Sequence, residues 1–350
     1  MHLVSEPTLY RLLRQLDSKQ SYEILQILCS SLATLATEST APEAEREVHQ
    51  PLRTHIVTKN KNLSLFMPVS NTVSTGIKVV TASPAGIIGV INIFSPDGRL
   101  LGLLSAAEVT AFRTALASMT LFVRCKSLKK ENIVVLGSGR QAEWHARLAL
   151  LLVPGQIKRV TFVNRGRKRL ESMKKEVFTD LQQKYPDLVV DSLSKEDTPD
   201  YDDKLKRVLA ASDAIFSCTP ATEPNFPYSY LSGSAQKQRL ISLIGSYKPH
   251  MKEVDSETLL SGQQIYVDSK EACLEESGEL ISAQVKEDQL IEIGALFARE
   301  DSLEPSPISV PDGANVVFKC VGMGLMDLVV GRKLLDLAHQ KGLGTDVDGF

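Results

Sequence analysis

Residues 132–146 read Asn-Ile-Val-Val-Leu-Gly-Ser-Gly-Arg-Gln-Ala-Glu-Trp-His-Ala. A β-branched run, Ile133 to Leu136, ends in Gly137-Ser138-Gly139, and the Ala- and Leu-rich segment Gln141 to Leu152 follows with helical character. Strand, glycine turn and helix together present unpaired backbone N–H groups and a positive helix end to a dinucleotide pyrophosphate. Gly137 permits the tight turn, and Gly139 lets the backbone approach the phosphates. Ala142 stands where a third glycine would pack helix on strand. The candidate cofactor contacts here are Gly137, Ser138, Gly139, Arg140 and Gln141. A lone G-x-G also fits an ordinary strand-to-helix turn; the flanking strand, helix and second strand favour dinucleotide binding.

The second strand suggests which dinucleotide. Val160-Thr161-Phe162-Val163 ends at Asn164-Arg165-Gly166-Arg167-Lys168. An NAD enzyme usually places Asp or Glu at this strand end for the ribose 2′-OH, whereas an NADP enzyme offers Arg to the 2′-phosphate. The acid is missing, Arg165, Arg167 and Lys168 supply cations, and Asn164 can still bond the ribose. These cations also suit a solvated helix start, but NADP(H) is the preferred expectation and NAD(H) the lesser one.

At 350 residues the chain exceeds a typical single domain, so two are expected. A formal net charge of −2 gives no basic field to hold nucleic acid or a membrane surface. No apolar run of spanning length and no signal-peptide pattern after Met1 is expected. Five scattered cysteines (Cys29, Cys125, Cys218, Cys273, Cys320) without C-x-x-C spacing argue for reduced thiols and no zinc site. A cytoplasmic protein without metal is the expectation. His145, inside the helix after the glycine turn, reads as structural.

Residues 8–36 carry apolar positions at helical spacing and predict two helices. Residues 53–104 alternate in short runs, with Ser95-Pro96-Asp97-Gly98 between two of them, which predicts a mostly antiparallel sheet. Ala106 to Cys125 reads as a connecting helix. Strand candidates 133–136, 160–163, 188–190, 214–218, 240–244 and 264–268 then alternate with helical patterns, implying a doubly wound parallel sheet. The loop from Glu304-Pro305-Ser306-Pro307 to Gly313 breaks this pattern, and Val316 to Gln340 reads as one long helix. The fold class is therefore α/β: a Rossmann-type domain at 126–315, and a discontinuous α+β domain from 1–125 and 316–350.

Two blocks in the first domain set cations inside apolar runs. Lys78 lies in Gly-Ile-Lys-Val-Val; an unpaired buried ammonium is expensive, so it either faces outward or meets an anion. Arg113 stands alone in Val-Thr-Ala-Phe-Arg-Thr-Ala-Leu-Ala, and a guanidinium is well shaped for a carboxylate. Arg53, after Pro51-Leu52, is ambiguous by itself. In the second domain the strand ends Ser217-Cys218-Thr219-Pro220 and Ile244-Gly245-Ser246-Tyr247 are ordinary turns or contacts to ribose and nicotinamide.

Together these blocks resemble the ornithine cyclodeaminase/μ-crystallin family. The resemblance is carried by Pro51-x-Arg53, Met67-Pro68-Val69-Ser70, Gly76-Ile77-Lys78, Thr110-Ala111-Phe112-Arg113-Thr114-Ala115 and Gly137-x-Gly139-x-Gln141-Ala142. Ile244-Gly245-Ser246, Lys252-Glu253-Val254-Asp255, Val267-Asp268-Ser269 and Phe318-Lys319-Cys320-Val321-Gly322 extend it. It implies a homodimer built through the first domain and a small amino- or imino-acid substrate in the cleft between domains. It also implies that Arg53, Lys78 and Arg113 grip the substrate carboxylate, with Lys78 the candidate catalytic residue. Arg113, Cys218, Thr219, Ser246 and Lys319 join the candidate cofactor contacts. Where cyclodeaminases carry an Asp and, four residues on, a Lys, this chain has Tyr247 and Met251. Tyr is a poor general base at neutral pH. The expectation is thus an NADPH-dependent reductase of cyclic ketimine carboxylates of the Δ1-pyrroline-2-carboxylate or Δ1-piperideine-2-carboxylate type. The alternatives are ornithine cyclodeamination or a related amino-acid dehydrogenase, and a non-catalytic NADPH-dependent binding protein.

Overall fold

β-branched runs that bury both faces favour a parallel sheet with helices on either side, and this architecture governs the centre of the chain. The computed structural model describes residues 1–84, 86–231, 237–298 and 307–349. It divides into two compact units: Met1–Thr114 with Gly294–Asp301 and Gly322–Phe350, and Ala115–Ile293 with Ser302–Val321.

The first unit is built on a seven-stranded sheet. Its strands are β1 (His2–Val4), β2 (Thr54–Val57), β3 (Leu63–Asn71), β4 (Ser74–Ser83), β5 (Gly86–Phe94), β6 (Leu100–Ser105) and the terminal Thr345–Asp346. β2 to β6 form an antiparallel meander, β6 pairs in parallel with β1, and β1 pairs with Thr345–Asp346. Helices α1 (Glu6–Arg14) and α2 (Ser18–Thr37) precede the meander, and the C-terminal helix Gly324–Gln340 packs on the sheet. The fit is close: a Cβ added at Gly76 of β4 would lie 2.8 Å from Leu328 Cδ1. Helix α3 (Ala106–Arg124) runs from this unit into the second.

The second unit holds eight parallel strands in the order β13-β12-β14-β11-β10-β7-β8-β9. These are β7 (Asn132–Leu136), β8 (Arg159–Asn164), β9 (Val189–Ser194), β10 (Ala214–Ser217), β11 (Leu240–Leu243), β12 (Ile265–Val267), β13 (Leu290–Glu292) and β14 (Val316–Lys319). After β7 the chain builds β8 and β9 on one side, then crosses to β10 on the other. The strand order therefore reverses between β7 and β10, the place where doubly wound sheets bind ligands. Val134, Leu136, Ile215, Ile241, Leu243 and Val317 are buried in its core.

The predicted α/β class and all six strand candidates are present. Val316 to Gln340 is not one helix: Val316–Lys319 is a strand inserted between β11 and β12, and the helix begins only at Gly324. A short apolar run buried on both faces does not reveal its period, and Gly322, at φ +91°, ends the extended segment. The units divide at 114/115, 293/294, 301/302 and 321/322, where 125/126 and 315/316 are the expected boundaries. Three-residue β1 and β13 were too short to read. Of the pattern-breaking loop, 304–306 lie outside the described residues. The expectation about spanning runs also needs correction. By length and composition α3 could cross a membrane, but 83% of its apolar window is buried within the protein, as in a core helix.

Candidate functional site

In the second unit, Gly137 follows β7 with φ +120°, a conformation that L side chains rarely adopt. Its N–H donates to Val163 O at 2.7 Å, and a Cβ there would lie 3.0 Å from Cys218 O. The turn is thus pressed against the end of β10 at the point where the strand order reverses. Gly139 is the N-cap of α4 (Arg140–Leu152), and a Cβ built on it meets nothing within 4 Å. Open space therefore lies before the helix N-terminus, while Ala142 packs fully buried behind it. Ser138 Oγ and Gln141 Oε1 are buried with no protein partner, and the Ser138 hydroxyl is free to donate to a ligand. These features fit a dinucleotide pyrophosphate.

His145 of α4 is structural, as expected. Its Nδ1–H donates to Gln141 O at 2.7 Å, its Nε2 meets Ser118 Oγ at 2.8 Å, and burial pushes its pKa down to about 4. At the end of β8, Asn164 Nδ2 donates to Gly166 O at 2.8 Å, and Arg165 and Lys168 are exposed. Arg167 is engaged: Nε lies 3.3 Å from Asp197 and 3.8 Å from Glu171. Its backbone N–H donates to Glu196 Oε2 at 2.7 Å. The acid absent from the end of β8 is therefore supplied in space by Glu196, two residues beyond β9, which sequence order concealed.

The strand-end residues expected to contact the cofactor separate into two groups. Cys218 and Thr219 are half-buried, and burial, then the Glu253 charge, raises the Cys218 thiol well above its ordinary range. Ser246 and Lys319, by contrast, lie wholly inside the unit. Lys319 Nζ donates to Ser246 O at 2.6 Å and Oγ at 2.5 Å. Both residues act there as internal ties rather than as surface at the strand ends.

In the first unit, the sheet and the C-terminal helix bring Lys78 and Arg113 together on a residue not singled out beforehand, Asp327. Lys78 Nζ lies 2.5 Å from Asp327 Oδ2, and Arg113 Nε donates to Oδ1 at 3.0 Å. All three are at least 95% buried. Lys78 therefore does not face outward: the anion that burial demands is Asp327. Gly322 lies directly under the guanidinium, since a Cβ there would stand 2.6 Å from Arg113 Nη1. Burial still pushes Lys78 down to about 8; Asp327 opposes this, whereas Arg113 and Arg53 add to it. Half-buried Arg53 is thus close enough to act on the lysine. The cluster thus binds a carboxylate, that of Asp327, and leaves Lys78 with a more labile proton than an ordinary lysine.

The sequence profile of the ornithine cyclodeaminase/mu-crystallin family matches residues 16–342. The chain belongs to this family. It is 32% identical over 316 residues, 79% of this chain and 82% of the relative, to uncharacterized protein YGL159W of Saccharomyces cerevisiae. It is 27% identical to a Delta(1)-pyrroline-2-carboxylate reductase of Bacillus cereus, covering 87% of this chain and 90% of that one. Among solved structures, the Thermococcus litoralis Delta(1)-pyrroline-2-carboxylate reductase, in complex with NADH and L-proline, superposes with a TM-score of 0.79. That match is at 21% identity and covers 99% of this chain and 100% of that one; it speaks for the fold.

Within the family frame, Tyr247 is half-buried with Lys248 Nζ 5.5 Å from its ring centroid, and Met251 is buried. Neither supplies a carboxylate. Asp327 was discoverable: a single acid in Gly-Leu-Met-Asp-Leu-Val-Val is as conspicuous as Arg113 in its own helix. Glu253 stood out only within the Lys252–Asp255 block of the resemblance, and Glu279 gave no signal.

Proposed function

We propose that the chain is an NAD(P)H-dependent reductase of small cyclic ketimine carboxylates, of the Δ1-pyrroline-2-carboxylate or Δ1-piperideine-2-carboxylate type. The observation that carries this reading is the buried Lys78–Asp327–Arg113 cluster. Arg113 and Arg53 hold the substrate carboxylate, and Lys78, an ammonium at neutral pH, donates a proton to the ring nitrogen as the C=N bond becomes CH–NH. The reduced nicotinamide supplies the hydride. Gly137, Gly139 and the start of α4 hold the pyrophosphate, with the Ser138 hydroxyl donating to it. The lack of a carboxylate at Tyr247 and Met251 weighs against cyclodeamination.

For the nucleotide, exposed Arg165 and Lys168 favour NADP(H), and Asn164 suits the ribose. A second reading, NAD(H), is favoured by Glu196, whose carboxylate stands against a 2′-phosphate at Arg167. A homodimer through the first unit is supported by exposed apolar side chains at one end of its sheet, although Ser64 and Thr81 lie between two of them. Ile56 and Ile88 (56% and 74% exposed) lie in one row, and Val57 and Ile87 (62% each) in the next. Surface of this kind marks an interface.

The test is to mix the full chain with NADPH or NADH and each cyclic ketimine and follow nicotinamide oxidation. Turnover that collapses in Lys78→Ala is expected. Binding of nucleotide and imine without turnover would leave a ligand-binding protein, and ammonia release from ornithine would restore cyclodeamination; either result sinks the proposal.

A further inference from the structure

Behind the strand ends of the second unit lies a polar cluster that the proposed chemistry does not use. Glu253, 0% exposed, accepts hydrogen bonds from five groups. Oε1 takes Ser217 Oγ at 2.6 Å, Thr219 N–H at 2.9 Å and Thr219 Oγ1 at 3.3 Å. Oε2 takes Gly245 N–H at 2.6 Å and Ser246 N–H at 3.3 Å. One carboxylate thus ties together the segments that leave β10 and β11.

These segments touch. A Cβ added at Gly245 would lie 2.0 Å from Thr219 O. The first segment also abuts the glycine turn, through Cys218 O beside Gly137. A shift of the Thr219 backbone is therefore felt where the pyrophosphate sits. Glu253 is itself held by Glu279, whose Oε1 accepts the Glu253 N–H at 2.7 Å and whose carboxylate also accepts from Ser246 Oγ at 2.7 and 2.6 Å. Lys319 Nζ lies 3.9 Å from Glu279.

We propose that Glu253 is the positioning residue of the dinucleotide site: its carboxylate holds the Cys218-Thr219 and Gly245-Ser246 segments at the spacing nucleotide binding requires. This rests on the dinucleotide reading of this unit and not on the identity of the substrate. Only the ionised form does this. All five of its partners donate to it; a proton on Oε2 would face only the Gly245 and Ser246 N–H groups, and a proton on Oε1 could be met only by turning the Ser217 or Thr219 hydroxyl away from its present donation.

The charged and titratable groups facing Glu253 are Glu279 from helix Gly278–Ser282, Lys319 from β14 and the Cys218 thiol after β10; Ser217, Thr219 and Asn225 are neutral. Burial, aided by Glu279 and opposed by Lys319 and the Ser217 and Thr219 donors, pushes Glu253 up to about 7. Nucleotide affinity consequently falls as pH drops through neutrality.

NADH has no group of its own titrating near neutrality, so it is the probe. Its Kd for the full chain is measured by nucleotide fluorescence from pH 6 to pH 8, alongside Glu253→Gln and Glu253→Asp. In the unsubstituted protein Kd rises about tenfold between pH 8 and pH 6, the factor for one proton at a group titrating midway. Glu253→Gln binds weakly at both ends with a flat profile. Glu253→Asp, shorter but still ionisable, binds more weakly and keeps the slope, so the idea remains testable if the Gln variant fails to fold. A flat profile in the unsubstituted protein, or unchanged affinity in Glu253→Gln, overturns the proposal while leaving the dinucleotide site intact. No binding of NADH or NADPH at any pH overturns both.

Discussion

Replacing Asp327 with Asn removes the carboxylate facing Lys78 and Arg113 while keeping its shape. Unit charges about 4 Å apart attract by about 4 kcal/mol at an effective dielectric near 20. If about 2.7 kcal/mol of this is lost after reorganisation, Lys78 drops by about two pKa units at 1.36 kcal/mol each. It then falls from about 8 to about 6. At pH 7.5 the ammonium fraction goes from about three-quarters to about 3%, a roughly 25-fold loss. The direction is fixed by burial and by the neighbouring guanidinium groups, which all disfavour the charged lysine once Asp327 no longer opposes them. The assay is kcat/KM for cyclic imine reduction across pH 5.5–9.5, because this parameter reports the free enzyme. Activity falls above pH 8 in the parent protein; in Asp327→Asn that alkaline limb moves toward pH 6. A limb that stays near 8 refutes Lys78 as the proton donor held by Asp327.

Three further outcomes follow from the geometry. Gly245→Ala drives a methyl to within 2.0 Å of Thr219 O, so the denaturation midpoint falls by the equivalent of about 3 kcal/mol; an unchanged midpoint contradicts the tight contact between the two segments. Arg165→Ala weakens NADPH about tenfold, the scale of one charge-assisted hydrogen bond, and leaves NADH alone, whereas Glu196→Gln tightens NADPH selectively. Equal shifts for both nucleotides in fluorescence titrations rule out 2′-phosphate recognition at these residues. Ile88→Asp places a charge among the exposed apolar side chains at that end of the sheet and converts a dimer to a monomer in light-scattering chromatography; a parent protein already monomeric at micromolar concentration excludes that interface.

The sequence displayed what is local. Ile133–Leu136, the glycine turn and α4 follow one another within twenty residues, so strand, turn and helix were readable, as was the hairpin at Ser95–Gly98. Lys78 and Arg113 stood out because a lone charge in an apolar run demands a partner. The partner itself was hidden: Asp327 is more than two hundred residues from either cation, and only the packing of the C-terminal helix on the sheet brings it there. Glu196 escaped for the same reason, since the parallel pairing of β8 with β9 sets it beside Arg167. Val316–Lys319 was misread because four buried residues carry no usable period. Lys319 was expected to contact the cofactor on the family resemblance; instead it is fully buried against Ser246 and Glu279, which no spacing rule reveals.

The two buried clusters respond to crowded charge in different ways. In the second unit, burial above all, opposed by Lys319 and aided by Glu279, raises Glu253 to about 7, so a proton can relieve the cluster. In the first unit, burial first, and then the Arg113 and Arg53 guanidinium groups, which do not titrate, depress Lys78. Lysine is therefore the yielding member, and it sits at about 8 in spite of an ion pair at 2.5 Å. A substrate carboxylate entering among Arg53, Lys78 and Arg113 adds the negative charge that favours the ammonium form. Binding would thus secure the proton that reduction of the imine consumes, and the alkaline limb of kcat should lie above that of kcat/KM. A neutral imine lacking the carboxylate would gain no such proton, so its discrimination should appear in kcat as well as in KM.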